Sequence, residues 1–528
     1  MDQKPSTPEE ADRFGRRPPD VVVVGAGAAG VTLAARLSED GDRQVLLLEA
    51  GPVPRDANGF GPALLDARLV PGAQPGHPAV TAWPARLTPR RPWALPRGRV
   101  AGGSTTVNGG YFIRARREDF DRWSAAGNPA WAWDRVLPFM KALENDLDLG
   151  ASAVHGDDGP VLVRRGRLRH PAEAAFRDAA AALGHPADPD KNDQGRPGFG
   201  PVPSNAVDGI RRNAALSYLT AEVLDRPNLH VLGDCNVLRI LTERGRATGV
   251  LVEHEGRQLR LDAALVVASA GALASAQLLL LSGIGPRAGL ERLSIPVVRD
   301  APGVGTRFSD HPQLALEWGA QGDWGEPDDT WLGGCLHLTL DDDLGDVEIL
   351  QSLVPLAGLI GGETGVPGAP MAFLVSSLAP RPVGRLCLQS ADPGTPPTVD
   401  LNYLATAQDR RRLRAAVRAT ASLVDTPAFT GRGAGLLAPL SRVLNDDRAL
   451  DAWIGDHLGT AQHTCGTAPM GPEDHPDAVV DEFGRVHGVP GLRVADTSIL
   501  PDAPQRGPAA TAVLVGEVVA DAIRRGSR

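Results

Sequence analysis

Cysteine, lysine, long apolar runs and excess positive charge are all scarce in this chain, and each shortage closes off a class of protein. The four cysteines, Cys235, Cys335, Cys387 and Cys465, are scattered over 528 residues. No C-x-x-C pair occurs, so neither a zinc ribbon nor a disulfide framework is indicated, and no metal site is expected. No apolar run reaches the roughly 18 residues of a bilayer-spanning helix, so no transmembrane segment is expected. The N-terminal stretch is polar and proline-rich and lacks the apolar core of a secretory signal. Residues 1–19 are therefore expected to be a disordered lead-in, and the protein to be cytoplasmic, with at most a peripheral association with a membrane. Lys and Arg total 54 against 64 Asp and Glu, a net charge of −10. That balance argues against a nucleic-acid partner, which needs a basic face. The local cluster Arg410, Arg411, Arg412 and Arg414 reads as a solvated helix face. Aromatics make up 4% of the chain. At about 150 residues per domain, the length implies two to four units.

Glycine is abundant, and the first glycines stand in a pattern. Val21 to Val24 is a β-branched run suited to a buried parallel strand. Gly25-Ala-Gly27-Ala28-Ala29-Gly30 follows, and then Val31, Leu33, Ala34 and Leu37 recur at helical spacing. Val45 to Leu48 is a second buried strand, ending at Glu49. This is a βαβ unit with a G-x-G-x-x-G turn. Gly25 permits the tight turn, Gly27 lets the backbone approach a pyrophosphate, and Gly30 lets helix and strand pack closely. The helix N-terminus offers free N–H groups to an anion. Glu49, 19 residues after Gly30, is placed to accept hydrogen bonds from ribose hydroxyls. The unit predicts a dinucleotide site, without choosing the dinucleotide.

Farther along, residues 61–97 are rich in Pro and Gly and predict a long irregular excursion. Residues 118–149 look helical, with Trp123, Trp131, Trp133 and Phe139 as packing anchors. Residues 150–205 are mixed and loop-rich, and 229–267 alternate as strands. Residues 306–460 are heterogeneous, with Trp318, Trp324, Trp331 and Trp453 open to either a pocket or a core role. The end, Leu492 to Arg525, returns to strand-then-helix character. Of the twelve histidines, His77, His155, His170 and His185 read as surface, His311 as structural, and His487 as ordering a turn.

Five blocks carry a resemblance: VVVVGAGAAGVTLAARLSED…VLLLEAG, PRGRVAGGSTTVNGGYFIRA at 96–115, GALASAQLLLLSGIG at 271–285, PGVGTRFSDHP at 302–312, and the portion from His463 to Glu517. In this order they resemble the glucose–methanol–choline (GMC) oxidoreductase family, over about residues 20–525. The resemblance implies an α/β fold, α+β overall: a Rossmann-type FAD-binding domain with an interleaved sheet-plus-helix substrate domain. It divides the chain into a discontinuous FAD domain of 20–150, 206–305 and 462–526, and a substrate domain of 151–205 and 306–461. It implies FAD contacts from Gly25, Gly27, Ala28, Ala29, Gly30, Glu49, Ala50, Arg99, Gly102, Gly103, Ser104, Asn108, Gly109, Val237 and Asp496. For the Val237 side chain, plain core packing is an equal reading, and Asp496 could equally be a helix cap. Some family members carry a flavin-linked histidine where this chain has Val107, so FAD is expected to be non-covalent.

The resemblance also implies an activity: hydride transfer from an alcohol to flavin N5, with a base taking the hydroxyl proton. Histidine suits that role because its pKa lies near neutrality. His463, heading His463-Thr-Cys-Gly-Thr-Ala-Pro-Met-Gly471, is the candidate. The family places a second His or Asn near the C-terminus before a proline. Here that position is Gly507, or Arg506 if the register shifts by one, and an Arg could stabilise an alkoxide. The tail TSILPDAPQRGPAATAVLVGE resembles mycofactocin-associated GMC dehydrogenases, implying a reduced mycofactocin substrate and electrons passed to an unknown acceptor, such as the respiratory chain. The alternatives are a peroxide-producing oxidase of a small alcohol and a GMC-type lyase.

Overall fold

Four consecutive buried valines form the first strand, β1 (Val21–Val24). In the computed structural model the described residues are 18–319, 324–340, 346–359, 369–379 and 383–526; apart from residues 18 and 19, the expected lead-in lies outside them. β1 is flanked by β2 (Val45–Leu48) and β4 (Leu265–Ala268), with β3 (Leu229–Leu232) beyond β2 and β5 (Leu492–Val494) beyond β4. Every pairing in this sheet is parallel. Both faces are covered, which is why β1, β2 and β4 read as unbroken apolar runs rather than alternating ones. Segments more than 400 residues apart thus close one Rossmann-type sheet, and the overall fold is the expected mixed α/β arrangement.

Helix α1 (Ala28–Leu37) links β1 to β2, α2 (Gly271–Leu281) follows β4, and α3 (Ala509–Arg524) ends the chain. α1 and α3 cross so closely that a Cβ on Gly516 would lie 2.6 Å from the Ala29 carbonyl oxygen. The crossing is pinned by Glu517, which accepts both from Arg36 Nε (2.9 and 3.0 Å) and from the Tyr218 hydroxyl (2.7 Å). The helix that opens the glycine turn is therefore fixed from the far end of the chain.

The second large sheet is antiparallel. Its order is Gly435–Leu436, Pro312–Gly319, Met371–Ser377, Val347–Ser352, Leu332–Leu338, Phe199–Pro201. Leu332–Leu338 and Val347–Ser352 are buried at every residue. Trp318 is fully buried and packs on Trp324, Phe373 and Phe429, so it belongs to the core of this layer. Trp123, Trp131 and Trp133 are buried anchors as expected, whereas Phe139 is half-buried.

Three expectations are corrected. Much of 61–97 is not irregular: Val80–Thr88 and Arg91–Gly98 form a hairpin that extends a sheet containing Thr398–Asp400. Arg91–Gly98 is the edge strand, where Pro92 and Pro96 cost no ladder hydrogen bond. That hairpin also joins segments on both sides of the expected domain division. Arg412 is buried, its Nε 3.3 Å from Asp346. His155 is 2% exposed rather than on the surface, because Glu144, Asp146 and Asp190 surround its ring.

Candidate active site

The glycine turn after β1 is dictated by close backbone approach. Gly25 has φ +99°, and a Cβ there would lie 2.6 Å from the Ser269 carbonyl oxygen. A Cβ on Gly30 would lie 1.9 Å from the Gly25 oxygen. Gly27 differs: a Cβ there would meet nothing nearer than 3.9 Å, so its exposed side is open. No side chain caps α1 at Gly27, and its first turn, including Ala28 and Ala29, holds no acidic residue. Free N–H donors therefore face open space, as a pyrophosphate requires. The second glycine loop docks on the first: Gly102 N donates to the Ala26 oxygen at 2.8 Å, and a Cβ on Gly103 would lie 2.9 Å from Gly27 Cα.

Around this crossing lie the other predicted cofactor residues. Glu49 is buried at the end of β2 and accepts from Ala26 N (2.8 Å) and Gly51 N (3.0 Å), and its burial raises its pKa. Each oxygen keeps a lone pair for a further donor. Arg99 Nε donates to the Ala50 oxygen at 3.1 Å. Cys235 N donates to the Glu49 oxygen at 2.8 Å, so half-buried Val237, two residues along, belongs to the same corner. Ser104 is exposed and its Oγ accepts from Gly98 N. Asn108 is half-buried, its Oδ1 accepting from Gly110 N at 3.0 Å. The Gly109 oxygen accepts from the Trp331 indole at 3.0 Å. Asp496 acts as a cap: it accepts from Gly271 N, Ser275 Oγ and Ser498 N, joining α2 to the turn at Thr497–Ile499.

His463 lies at the other end. It is half-buried, and its Nδ1 is 2.9 Å from Nδ1 of fully buried His311. Asp310 holds both backbones, its Oδ1 accepting from His311 N (2.7 Å) and His463 N (2.9 Å). Thr460 and Thr464 hydroxyls occupy the same carboxylate. Arg97 donates to Thr464 Oγ1 at 2.7 Å. Burial, then the Arg97 charge, lower the His463 pKa to about 3, so its imidazole is neutral at ordinary pH. Gly507 faces this ring: a Cβ there would lie 3.6 Å from His463 Cε1 and Nε2 and 3.8 Å from Ile113. Ile113 continues the second glycine loop, so Gly507 lies between His463 and that continuation.

Arg506 does not share that slot. Its guanidinium is buried and is felt by Tyr111, Glu348, Cys335 and His337. These residues form a cluster that sequence reasoning missed. Tyr111 and His337 Nε2 each lie 3.1 Å from Glu348 Oε2, and Lys191 Nζ is 3.3 Å from His337 Nδ1. Cys335, His337 and Glu348 have a metal-ligand composition. Yet Lys191 and Arg506 already supply positive charge, and Lys191 occupies the His337 Nδ1 lone pair. The cluster is a completed hydrogen-bond chain. Its signal was the presence of His337 inside the otherwise apolar strand Leu332–Leu338. The second ligand-like group, Glu144, Asp146 and His155, is neutralised by Arg114 and Arg165.

Residues 20–313 match the N-terminal family model described as GMC oxidoreductase, and residues 380–516 match its C-terminal counterpart. An uncharacterised GMC-type oxidoreductase from Rhodococcus erythropolis is 38% identical over 500 residues, covering 94% of this chain and 97% of its own. The oxygen-dependent choline dehydrogenase of Sinorhizobium medicae is 34% identical, covering 96% and 95%. Among solved structures, pyridoxine 4-oxidase from Mesorbium loti superposes with a TM-score of 0.88 at 28% identity, covering 96% and 99%. With the family match spanning most of its length and the dinucleotide fold described above, the chain belongs to the GMC oxidoreductase family and is an FAD-dependent oxidoreductase.

Proposed function

We propose that the chain oxidises an alcohol to a carbonyl, with His463 as the base. One observation carries this reading: the Nε2 edge of a neutral, anchored His463 faces Gly507, where a Cβ would meet only ordinary contacts, with Ile113 of the second glycine loop opposite. When bound, FAD supplies the two-electron acceptor for the hydride leaving the carbinol carbon. The free N–H groups at Gly27 to Ala29 would hold its pyrophosphate, Glu49 its ribose, and Gly102, Gly103, Ser104 and Asn108 the run towards the ring. Val107 has no nucleophile, which supports non-covalent retention. His463 would take the hydroxyl proton at Nε2, and Ile113 would limit water at that edge. Arg506 contributes a buried positive charge beside the slot without entering it.

For the substrate, the tail around Gln505 to Pro508 favours reduced mycofactocin, with electrons leaving to a respiratory acceptor. A second reading, oxidation of a small alcohol with oxygen as acceptor, is favoured by the similarity to pyridoxine 4-oxidase and to oxygen-dependent choline dehydrogenase. Anaerobic mixing of the yellow holoenzyme with reduced mycofactocin and with small alcohols tests both. Bleaching of the flavin band by a donor identifies a substrate, and persistent colour with every donor sinks the alcohol reading. Readmitted air restores colour rapidly in an oxidase and slowly in a dehydrogenase. His463→Ala should stay yellow and bleach about 10²–10⁴-fold more slowly.

A further inference from the structure

Gly507 leaves the base without the side chain that would share its proton, but a second imidazole already touches it. His311 and His463 meet edge to face, ring centroids 5.1 Å apart at 89°, with Nδ1 to Nδ1 at 2.9 Å. Two bare nitrogens would repel at that distance, and two N–H groups would clash, so one proton lies between them. There are two ways to place it. If His311 donates, neutral His463 carries its proton on Nε2 and presents a donor to the Gly507 slot. If His463 donates, its Nε2 lone pair faces the slot, and His311 carries its own proton on Nε2.

The base role selects the second arrangement, because only there does His463 present an Nε2 lone pair to the slot. His311 Nε2 has no hydrogen-bond partner among the described residues, so the ring's one directional contact is the Nδ1 pair. Asp310 fixes the backbones of both histidines through their own N–H groups. The charged groups felt by the pair are Arg97 on the His463 side and Asp310 and Asp502 on the His311 side. Once His463 has taken up the substrate proton, positive charge on its side and negative charge on the His311 side draw the Nδ1 proton towards His311.

We infer that His311 is a positioning residue: it holds His463 in the Nδ1–H tautomer and shares the proton that His463 takes up, doing the work for which Gly507 has no side chain. The inference rests on His463 being the base. In the step, the alcohol O–H bond breaks and its proton binds His463 Nε2. The carbinol C–H bond breaks with its electron pair passing to the flavin, and the C=O bond forms. The imidazolium then donates a charge-assisted Nδ1–H bond to His311, stronger than the neutral bond before it. A polar residue at 507 would have held the same proton from the other side.

Two near-isosteric variants of His311 separate this role from mere packing. His311→Asn carries a polar atom near the Nδ1 position, so it keeps an acceptor for His463. His311→Gln carries its polar group near the Nε2 position and loses that acceptor. In the anaerobic holoenzyme, His311→Gln should reduce its flavin about 10–100-fold more slowly, and His311→Asn should stay within a few-fold of the parent. Equal losses, or the reverse order, overturn the inference. Gly507 has room for a side chain, its Cβ contacts being ordinary and its φ outside the left-handed region. Gly507→Asn should therefore act about tenfold more favourably in the His311→Gln background than in the parent, and additive effects would count against proton sharing. A third readout does not need turnover. In ¹⁵N-histidine-labelled holoenzyme, His463 should show the Nδ1–H tautomer in the parent and in His311→Asn, and lose it in His311→Gln. An Nε2–H tautomer in the parent refutes the assignment outright. If His463→Ala bleaches normally while the labelled tautomer behaves as stated, the base reading has failed and the pairing has not.

Discussion

Replacing His155 by Gln should destabilise the protein strongly at pH 6 and much less at pH 10. The ring is 2% exposed, with Nδ1 at 2.9 Å from Glu144 and 3.1 Å from Asp146, and Nε2 at 2.8 Å from Asp190. Arg165 bonds Asp146 and Asp190 at 2.7 Å each, and Arg114 bonds Glu144. Three carboxylates thus face two guanidiniums, and the imidazolium supplies the third positive charge. Burial opposes charging the ring, but hydrogen bonds to Asp146, Asp190 and Glu144 outweigh it and raise the pKa to about 10. A pKa raised on folding stabilises fully below the unfolded value of about 6.5 and is lost as pH rises through the folded value. Between those limits the loss runs at about 1.4 kcal/mol per pH unit.

Removing one partner of a buried ionic group typically costs about 3–5 kcal/mol. At about 2.1 cal/mol/K of unfolding entropy per residue, a chain of this length shifts by roughly 1 °C per kcal/mol. His155→Gln should therefore melt about 3–5 °C below the parent at pH 6, and the gap should narrow steadily towards pH 10. Differential scanning fluorimetry of the two holoenzymes across pH 6–10 measures it. In that window Asp146 and Asp190, both held below the usual carboxylate range, despite burial, by their hydrogen bonds to His155 and Arg165, do not titrate. A gap that is constant or widens with pH would falsify the charged-ring assignment. The consequence reaches the site, because Arg114 follows Ile113 and its backbone N–H donates to Asn192 at 2.9 Å.

Gly30→Ala places a methyl 1.9 Å from the Gly25 oxygen, so strand and helix must part by about 1 Å, more than overpacking normally tolerates; purified protein should lack the flavin band and melt earlier, and a yellow, stable variant would contradict the turn geometry. The lowered His463 pKa keeps the neutral base available in acid, so flavin reduction should stay flat from pH 8 to about 5.5 rather than falling near 6.5, the ordinary histidine value; stopped-flow profiles showing an acid limb near 6.5 would remove the pKa argument. Acid precipitation should release all the FAD into the supernatant, because Val107 offers no bond to it, and flavin fluorescence in the washed pellet would show otherwise.

How far the sequence revealed these features depended on the distance over which each is determined. The Gly30 contact with the Gly25 oxygen is local, so that part of the turn could be read directly, whereas the approach of Ser269 to Gly25 comes from the neighbouring strand. The segment Arg91–Gly98 misled because Pro92 and Pro96 usually exclude a strand; only the sheet order reveals that it is an edge. His155 sits in a Gly- and Asp-rich stretch that looks solvent-facing, and nothing local announces the two arginines that bury it. His337 was legible in principle, as the single polar residue of an apolar strand, whereas Glu348 shares its strand with Gln351 and Ser352. The partnership of His311 with His463 spans 152 residues. It is made by the bridge between Ser309 and Cys465, a register that no local pattern encodes.

That register also explains why the substrate is the least legible property of the chain. Three segments meet at the slot: the flavin loop through Ile113, the strand entry at Asp310 to Pro312, and the C-terminal run from His463 to Gly507. Their backbones are tied together by Asp310, by the bridge at Ser309 and by Ala503 N donating to Ser309 Oγ at 2.7 Å. All three belong to recognisable blocks, so the reacting edge is legible. Near the same loop, Tyr111, Cys335, His337 and Glu348 form a chain anchored at Lys191. Cys335, His337 and Glu348 stand on two strands buried at every residue, and Tyr111 stands on the second glycine loop. A polar cluster assembled from single positions on separate strands can change with one or two substitutions and leave every motif intact. Family membership therefore constrains the proton and hydride chemistry of this chain far more tightly than the identity of the alcohol.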